Sequence, residues 1–476
     1  MSETEQIEQQ EKQTVQGAKG AGGSSAQTEG QSVPSNTYSN DSTAAKLDAN
    51  ADVNAAAKPD ANSAAKPASN LTANGHELPN NWFMRIALIW SGYAFSAFMG
   101  SAASYAGIWF VTESTGSPLA LAFLYVLAFL PMGLLSPFGG VLADKHNRKK
   151  IIILCDSIMC VSALLLAATA IITGPSFLEV ALFCASYGFV QAFRAPAFYA
   201  TMPLLVPERH LVRINSLDTL LGSISMIAAP ALGILLYTSF GLQACFVISG
   251  IGTLAAVLTM FLAQLPHIEA AEQQVSPWQS VKEGVVALSK ARGLLILTIG
   301  VSLGLVGYGP IDSLLPLMVS SHFGGDGFAA SFLAAVMGIG MLVGTVALMT
   351  VNPSRRLQYI IIVSSVLVGV GAFIGGCVPE DGYSPFVVCI GVLAIACAWF
   401  NAPLMTLLQK GIEESKLGRV MGLMNALTGL AIPVGTAVGG VIAELIGTPL
   451  FFSIDGIFIL LIGVALLASK SVRALS

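Results

Sequence analysis

Residues 119–150 read LALAFLYVLAFLPMGLLSPFGGVLADKHNRKK. The first 25 of these residues carry no charge, and the stretch then ends in a cluster of lysine and arginine side chains. The hydrocarbon of a bilayer offers the backbone no hydrogen-bond partners, so a chain that crosses it must be helical and needs about 20 apolar residues per crossing. The stretch therefore predicts a transmembrane helix that ends in a basic loop.

The same pattern recurs throughout the chain after residue 80. Hydrophobic residues make up 54% of the sequence and charged residues 11%, against about 25% charged in a typical soluble domain. Six apolar segments precede a polar stretch and six follow it, which predicts an all-α membrane protein with twelve transmembrane helices in two six-helix halves. The predicted spans lie near 83–111, 119–143, 151–173, 177–205, 213–239, 243–264, 294–321, 328–351, 357–378, 384–410, 419–446 and 449–469.

Among the loops between these spans, only alternate ones carry lysine or arginine. The other loops contain neither residue. Because cytoplasmic loops keep the positive charge, the sequence predicts an integral plasma (inner) membrane protein with both termini in the cytoplasm. The basic loops and the C-terminus hold Lys145, Arg148, Lys149, Lys150, Arg209, Arg213, Lys282, Lys290, Arg292, Arg355, Arg356, Lys410, Lys416, Arg419, Lys470 and Arg473.

The first 80 residues form a polar tail with ten acidic residues, five lysines and a repeated Ala-Ala-Lys motif. Such a segment cannot bury enough apolar area to fold, so we expect a disordered cytoplasmic tail. The expected domains are this tail at 1–80, an N-terminal six-helix half at 81–264, a linker at 265–293 and a C-terminal six-helix half at 294–476.

The linker contains an amphipathic pattern. Trp278, Val281, Val285 and Leu288 recur at helical spacing among charged residues. We therefore expect a helix that lies on the membrane surface in contact with lipid, or an ordinary linker helix.

Several classes of function are not indicated. The seven cysteines lie in apolar spans without a C-x-x-C pair, and the five histidines are scattered, so we expect no disulfide framework and no metal site. No basic surface indicates nucleic acid. No G-x-x-x-x-G-K-[ST] loop is present to bind ATP phosphates, and we expect no cofactor and no enzymatic activity.

The two halves repeat each other at an offset of 206 residues. Matching pairs are Leu211 and Leu417, Arg213 and Arg419, Gly233 and Gly439, Gly241 and Gly447, Phe246 and Phe452, and Gly250 and Gly456. Six plus six spans with an internal repeat are typical of secondary transporters, whose site lies between the halves.

The loop after the second span carries a motif, Gly140-Val-Leu-Ala-Asp144-Lys145-His-Asn147-Arg148-Lys149. It resembles the pattern G-x-x-x-D-[RK]-x-G-[RK]-[RK] of the major facilitator superfamily. Asn147 replaces a glycine, and asparagine also tolerates a positive φ, so the turn can form. The resemblance implies that fold, alternating access, and a gating role for Gly140, Asp144, Lys145, Arg148 and Lys149.

Further segments are similar to the macrolide-efflux and siderophore-export branch of that superfamily. They are Ala192-Phe-Arg-Ala-Pro196-Ala, Pro203-Leu-Leu-Val-Pro207-Glu and Asn215. Two features depart from drug antiporters. Their pattern G-P-x-x-G-G appears here only as Ala229-Pro230-Ala-Leu-Gly233-Ile234, and the arginine that many of them carry early in span 4 is absent.

A few charged residues lie inside spans, where they are costly. Asp312 follows Gly307, Tyr308, Gly309 and Pro310 in span 7, and this glycine-proline pattern predicts a locally broken helix beside the transport site. Asp312 is therefore the proton-coupling candidate, the alternative being a hydrated carboxylate near the outer face. Arg194 in span 4 is expected to pair with Asp218 in span 5 or with Asp156 in span 3.

In the superfamily, spans 1, 4, 7 and 10 line the cavity. The resemblance therefore implies a set of aromatic and polar substrate contacts, with helix packing as the alternative for each: Tyr105, Tyr187, Gln191, Tyr308, Trp399 and Asn401.

These features together predict a secondary active exporter of amphipathic small molecules, of the drug or macrolide type, that exchanges its substrate for protons. A siderophore or lysophospholipid exporter of the same fold is the alternative. A non-transporting membrane sensor or scaffold is the alternative from another class.

Overall fold

The computed structural model describes residues 82–263, 277–351 and 356–475, and the regular elements among them are all helical. The tail at 1–80 lies outside the described residues, so its disorder stays a prediction. The helices are α1 (Trp82–Thr115), α2 (Pro118–Lys145), α3 (Arg148–Thr173), α4 (Phe177–Leu205), α5 (Glu208–Phe240), α6 (Leu242–Leu262), α7 (Pro277–Lys290), α8 (Arg292–Leu317), a π-helical turn (Met318–His322), α9 (Gly327–Val351), α10 (Leu357–Cys377), α11 (Tyr383–Cys397), α12 (Asn401–Gly411), α13 (Glu414–Ile446), α14 (Thr448–Ala468) and α15 (Lys470–Arg473).

We refer to helices α1 to α6 as the first half and to α8 to α14 as the second half, with α11 and α12 sharing one span. Within the described residues, eleven segments are long and apolar enough to cross a membrane. The remaining long helix, α4, has 29 residues and carries Glu179, Gln191 and Arg194, which lower its mean hydropathy. The predicted all-α membrane fold is confirmed.

Helix α8 runs without a break through Gly307 and Pro310, so the expected break there is wrong. The two glycines of this segment serve close helix packing instead. A methyl group on Gly307 would lie 2.7 Å from Ile459 Cγ1 of α14, and one on Gly309 would lie 2.7 Å from the carbonyl oxygen of Ile432 in α13. The irregular backbone lies elsewhere, in the π-helical turn that follows α8 and between α11 and α12.

The two halves touch at one end of the bundle. We call the end that carries the basic loops the basic side, and the other end the opposite side. On the opposite side, Ser117 at the start of α2 donates a hydrogen bond of 2.7 Å to Glu444 near the end of α13. Gly327 at the start of α9 lies against Ile234 of α5, where an added methyl group would approach Ile234 to 2.7 Å.

Three glycines on the basic side have open space in front of them. Gly140 of α2, Gly222 of α5 and Gly422 of α13 all lie in the parts of their helices nearer this side. A methyl group added to any of them would meet no described atom within 4 Å. Because Gly133 of α2 lies against Gly429 of α13, nearer the opposite side than Gly140 and Gly422, we infer that the halves diverge towards the basic side.

Candidate functional site

A small cavity of about 40 Å³ lies between the two halves, at the level of the Asp312 carboxyl. Helices α1, α2 and α5 contribute Tyr105, Tyr125 and Pro230, while α8 and α9 contribute Asp312 and Ser331. One water needs roughly 10–15 Å³ of such space. The cavity can therefore hold water beside a carboxyl group that both halves enclose.

Asp312 has polar but uncharged neighbours. Tyr105, Tyr125, Tyr308 and Cys397 all lie within electrostatic reach of its carboxyl. Among the described residues, no lysine or arginine forms an ion pair with it. The structure thus brings together the predicted residues Asp312, Tyr105 and Tyr308. It adds Tyr125, whose only signal in the sequence is a phenol in the middle of an apolar span.

A larger cavity of about 710 Å³ lies in the first half, in the part of the bundle nearer the basic side. Helices α1, α4 and α5 line it with aromatic, small and hydroxyl side chains. Tyr105 lines this cavity and the small cavity of Asp312. The tyrosine therefore stands between the large cavity and the carboxyl group. Aromatic residues in the lining are Trp90, Tyr93, Phe95, Phe98, Tyr105 and Tyr199.

Arg194 is buried in the first half and forms an ion pair with Asp156 of α3, with Nε 2.6 Å from Oδ1. Its guanidinium group also lies over the ring of Tyr93, 4.2 Å from the ring centre. A buried charge is tolerated only with such partners, because desolvation costs several kcal/mol per ion. The side chain of Asp218, the other expected partner, lies outside the described part of the chain, so that pairing stays a prediction.

Two of the expected cavity residues extend the Arg194 cluster. Gln191 accepts a hydrogen bond of 3.4 Å from Arg194 and donates one of 3.4 Å to the Tyr187 hydroxyl. Tyr187 in turn packs against Gly100 of α1, 3.3 Å from the position that a methyl group there would take. These contacts form one polar chain from α3 through α4 towards α1.

Trp399 lies in the turn between α11 and α12. Its indole N–H donates a hydrogen bond of 2.9 Å to the carbonyl of Gly344 in α9. The hydrogen-bonding group of this side chain is therefore engaged in helix packing. The side chain of Asn401, at the start of α12, is not among those described.

The basic residues of the loop motif fix the end of α2 to its neighbours. Arg148 donates hydrogen bonds of 3.1 Å to the Ala143 carbonyl and 2.7 Å to the Ala200 carbonyl of α4. Lys149 donates to the carbonyls of Phe261 and Ala263 at the end of α6, at 2.8 Å and 2.6 Å. The motif therefore joins three helix ends of the first half.

The other motif positions behave differently. Lys145 is exposed, and Gly140 faces open space. Asn147 is the N-cap of α3, where its side chain accepts a hydrogen bond from the Lys150 N–H. Its φ is −63°, so the turn forms without the positive φ that the glycine of the family pattern would allow. The Asp144 side chain lies outside the described part.

Two carboxylates on the opposite side lie outside the set of predicted site residues. Glu113 accepts hydrogen bonds from Trp109 Nε1 at 2.8 Å and from the Tyr237 hydroxyl at 3.0 Å, joining α1 to α5. Glu444 bridges the two halves. In the sequence, these two residues can be recognised only as carboxylates that lie about one turn from the end of a span.

The sequence matches the family model described as Major Facilitator Superfamily over residues 89–379 and 355–474. Macrolide efflux protein A of Streptococcus pyogenes is 31% identical over 400 residues, which cover 83% of this chain and 98% of that protein. Enterobactin exporter EntS of Salmonella choleraesuis (strain SC-B67) is 25% identical over 335 residues, covering 69% of this chain and 78% of that protein.

The fold is also similar to a solved structure. The crystal structure of nucleoside transporter NupG aligns with a TM-score of 0.63 at 16% identity, over 81% of this chain and 98% of that one. With a family model that matches most of the sequence and a relative above 30% identity, the chain belongs to the Major Facilitator Superfamily and is an integral membrane transporter, not an enzyme.

Proposed function

We propose that this transporter exports amphipathic small molecules of the macrolide type in exchange for protons. The similarity to proteins named for macrolide efflux and for enterobactin export supports export as the direction and a small molecule as the cargo. The observation that carries the proton coupling is the Asp312 carboxyl, which lies in a cavity between the halves without a cationic partner among the described residues.

The charge pattern supports an orientation with the basic side and both termini in the cytoplasm. In that orientation the arrangement described above is inward-facing, because the halves touch on the outer side and diverge towards the cytoplasm. The cavity of about 710 Å³ would then receive substrate from the cytoplasm or the inner leaflet. Its size is within the range of roughly 300–1,000 Å³ that is usual for ligand pockets.

The lining of the large cavity suits a bulky and partly apolar molecule. Aromatic rings from α1 and α4 offer apolar contact area, and Ser91, Ser101 and Ser225 add hydroxyl groups. We infer that Tyr105 contacts both the substrate and the region of Asp312, and that Tyr187, Gln191 and Tyr308 contribute polar contacts nearby. Trp399 and Asn401 remain candidates on the second half.

Coupling requires that Asp312 exchange its proton with different sides of the membrane in different states. A carboxyl group enclosed by both halves is exposed to one side only when the halves separate there, so rocking of the halves would alternate its access. We propose that Asp144 and the basic motif stabilise the cytoplasmic closure of the outward-facing state. In the inward-facing arrangement Gly140 faces open space, which leaves room for that closure.

A siderophore or lysophospholipid exporter of the same fold is the second candidate, and the similarity to an enterobactin exporter favours the siderophore. The test uses everted membrane vesicles that contain the full chain, with vesicles lacking it as control. Energised vesicles with an acidic interior should accumulate a labelled macrolide, and a protonophore should abolish the accumulation. Accumulation of a catecholate siderophore alone would favour the second candidate. Accumulation that survives the protonophore, which removes both the pH gradient and the membrane potential, would refute proton coupling.

A further inference from the structure

A cavity of about 480 Å³ lies on the basic side between the linker helix α7 and the first turns of α13, and we call it the cationic groove. Four of its lining side chains are cations and one is a carboxylate. The groove lies where two predicted spans begin, since the apolar part of α8 starts at Arg292 and that of α13 at Arg419. Its lining consists of Lys282, Glu283, Val286, Ala287, Lys290, Lys416 and Arg419.

Helix α7 has two different faces. Gly284 packs on α13, where a methyl group would meet the carbonyl oxygen of Arg419 at 2.6 Å, and Ala287 and Leu288 are buried in the neighbouring hydrophobic cluster. Val285 and Val286 are 45% and 50% exposed. The apolar residues predicted to share one face of the linker helix therefore lie on two faces. Leu288 faces the protein, and Val285 faces outward. An amphipathic helix with outward valines beside lysines is suited to a membrane interface.

The charges of the groove are only partly balanced. Arg419 pairs with Glu283 at 2.5 Å. Lys416 pairs with the exposed Glu413, and this hydrogen bond lowers the pKa of the Glu413 carboxyl. The two pairs hold Arg419 and Lys416 in place. Among the described side chains here, four cations face the two carboxylates Glu283 and Glu413, so the described part of the groove carries an excess of positive charge.

We propose that the cationic groove binds the phosphate-bearing headgroup of an anionic phospholipid. Lysine and arginine donors converge on a cavity at the membrane boundary, which provides charge-assisted hydrogen bonds to phosphate oxygens. The exposed valines of α7 offer apolar contact for the first carbons of the acyl chains. A basic pocket at the end of spans on the lysine-rich side of a membrane protein is a physically favourable site for anionic lipid.

A bound headgroup would hold the linker helix against the second half. The groove is built from α7 and α13 together, so a phosphate there contacts both elements. Helix α13 also carries Glu444, which contacts α2 across the bundle at its other end. Lipid binding would therefore stabilise the contact between α7 and α13, and α13 is the helix that contacts the first half through Glu444.

The experiment measures lipid retention by the full chain in detergent, using native mass spectrometry with phosphatidylglycerol or phosphatidylcholine added. Wild-type protein should retain phosphatidylglycerol in preference to phosphatidylcholine. A surface lysine contributes about fivefold to binding of anionic lipid, so Lys282→Gln with Lys290→Gln should weaken retention about 25-fold. The matched control is Lys150→Gln with Lys470→Gln, which removes two exposed lysines of the same side outside the groove.

The proposal is overturned if the control pair weakens retention as much as the groove pair, because binding would then be diffuse. It is also overturned if millimolar inorganic phosphate displaces the lipid completely, since the site would then recognise free phosphate. Equal retention of the two lipids would contradict it as well. Size-exclusion profiles verify that all variants are folded, and both pairs of substitutions change surface side chains only.

Discussion

Arg194 and Asp312 represent two ways in which a membrane span carries a charged residue. Arg194 is buried with an aspartate, an aromatic ring and a glutamine around its guanidinium group. Asp312 has phenols and a thiol around it and, among the described residues, no cation in contact. An ionisable side chain that a span retains without a structural partner indicates function, whereas the paired arginine is accounted for by stability.

Replacing Arg194 by alanine should destabilise the protein, because Asp156 is then left buried without its partner. The loss of one member of a buried pair costs about 3–5 kcal/mol. A second change, Asp156→Asn, should restore part of the thermal stability in detergent. Asp218→Asn in the same background tests the alternative partner. Strictly additive effects of the substitutions at 194 and 156 would contradict the ion pair.

At the scale of the elements, the contact between α2 and α13 closes one end of the bundle. Glu444 accepts hydrogen bonds from the Ser117 hydroxyl at 2.7 Å and from the Leu119 N–H at 3.1 Å. A carboxylate at the first turn of a helix interacts favourably with the free N–H groups and the helix dipole. Further along the same helices, an added methyl group on Gly133 would meet the Gly429 carbonyl oxygen at 2.6 Å. The halves can separate there only if the Glu444 hydrogen bonds break.

Glu444→Ala should therefore shift the equilibrium towards the state that is open on the opposite side, by about fivefold for a contribution of about 1 kcal/mol. Double electron–electron resonance reports this opening as the distance between spin labels placed at positions 175 and 381. The labels are introduced in a background without reactive cysteines. Glu380→Ala removes an exposed carboxylate of the same side that bridges no helices and serves as control. Unchanged distance distributions in Glu444→Ala would show that the bridge does not hold the closure.

At the scale of the whole molecule, the arrangement of the two ends fits the proposed exchange, in which one site would serve two compartments. The large cavity and the small cavity of Asp312 meet at Tyr105, near the middle of the bundle. Rocking of the halves would open the other end while closing the basic side. The same residues would then face the opposite compartment, which is the requirement for exchange of a substrate against a proton.

The sequence predicted the all-helical membrane fold well because the length of apolar runs depends on the thickness of the bilayer alone. Asp312 was a candidate because few charged groups occur in spans, whereas Tyr308 was a candidate through the resemblance to the family. The sequence could not choose between Asp156 and Asp218 as the partner of Arg194, since that depends on how each helix is rotated. Nor could it assign the glycines of α8, because glycine in a span permits either a break or close packing.

We propose above that Asp312 couples export to the proton gradient. The most direct measurement is accumulation of substrate by proteoliposomes under an imposed pH gradient, alongside equilibrium binding, for Asp312→Asn and for the exposed-loop control Asp381→Asn. Asparagine keeps the size and polarity of the side chain but cannot titrate. We expect Asp312→Asn to bind substrate but to fail to concentrate it, while the control behaves as wild type. Accumulation by Asp312→Asn at the wild-type level would show that Asp312 does not couple export to protons.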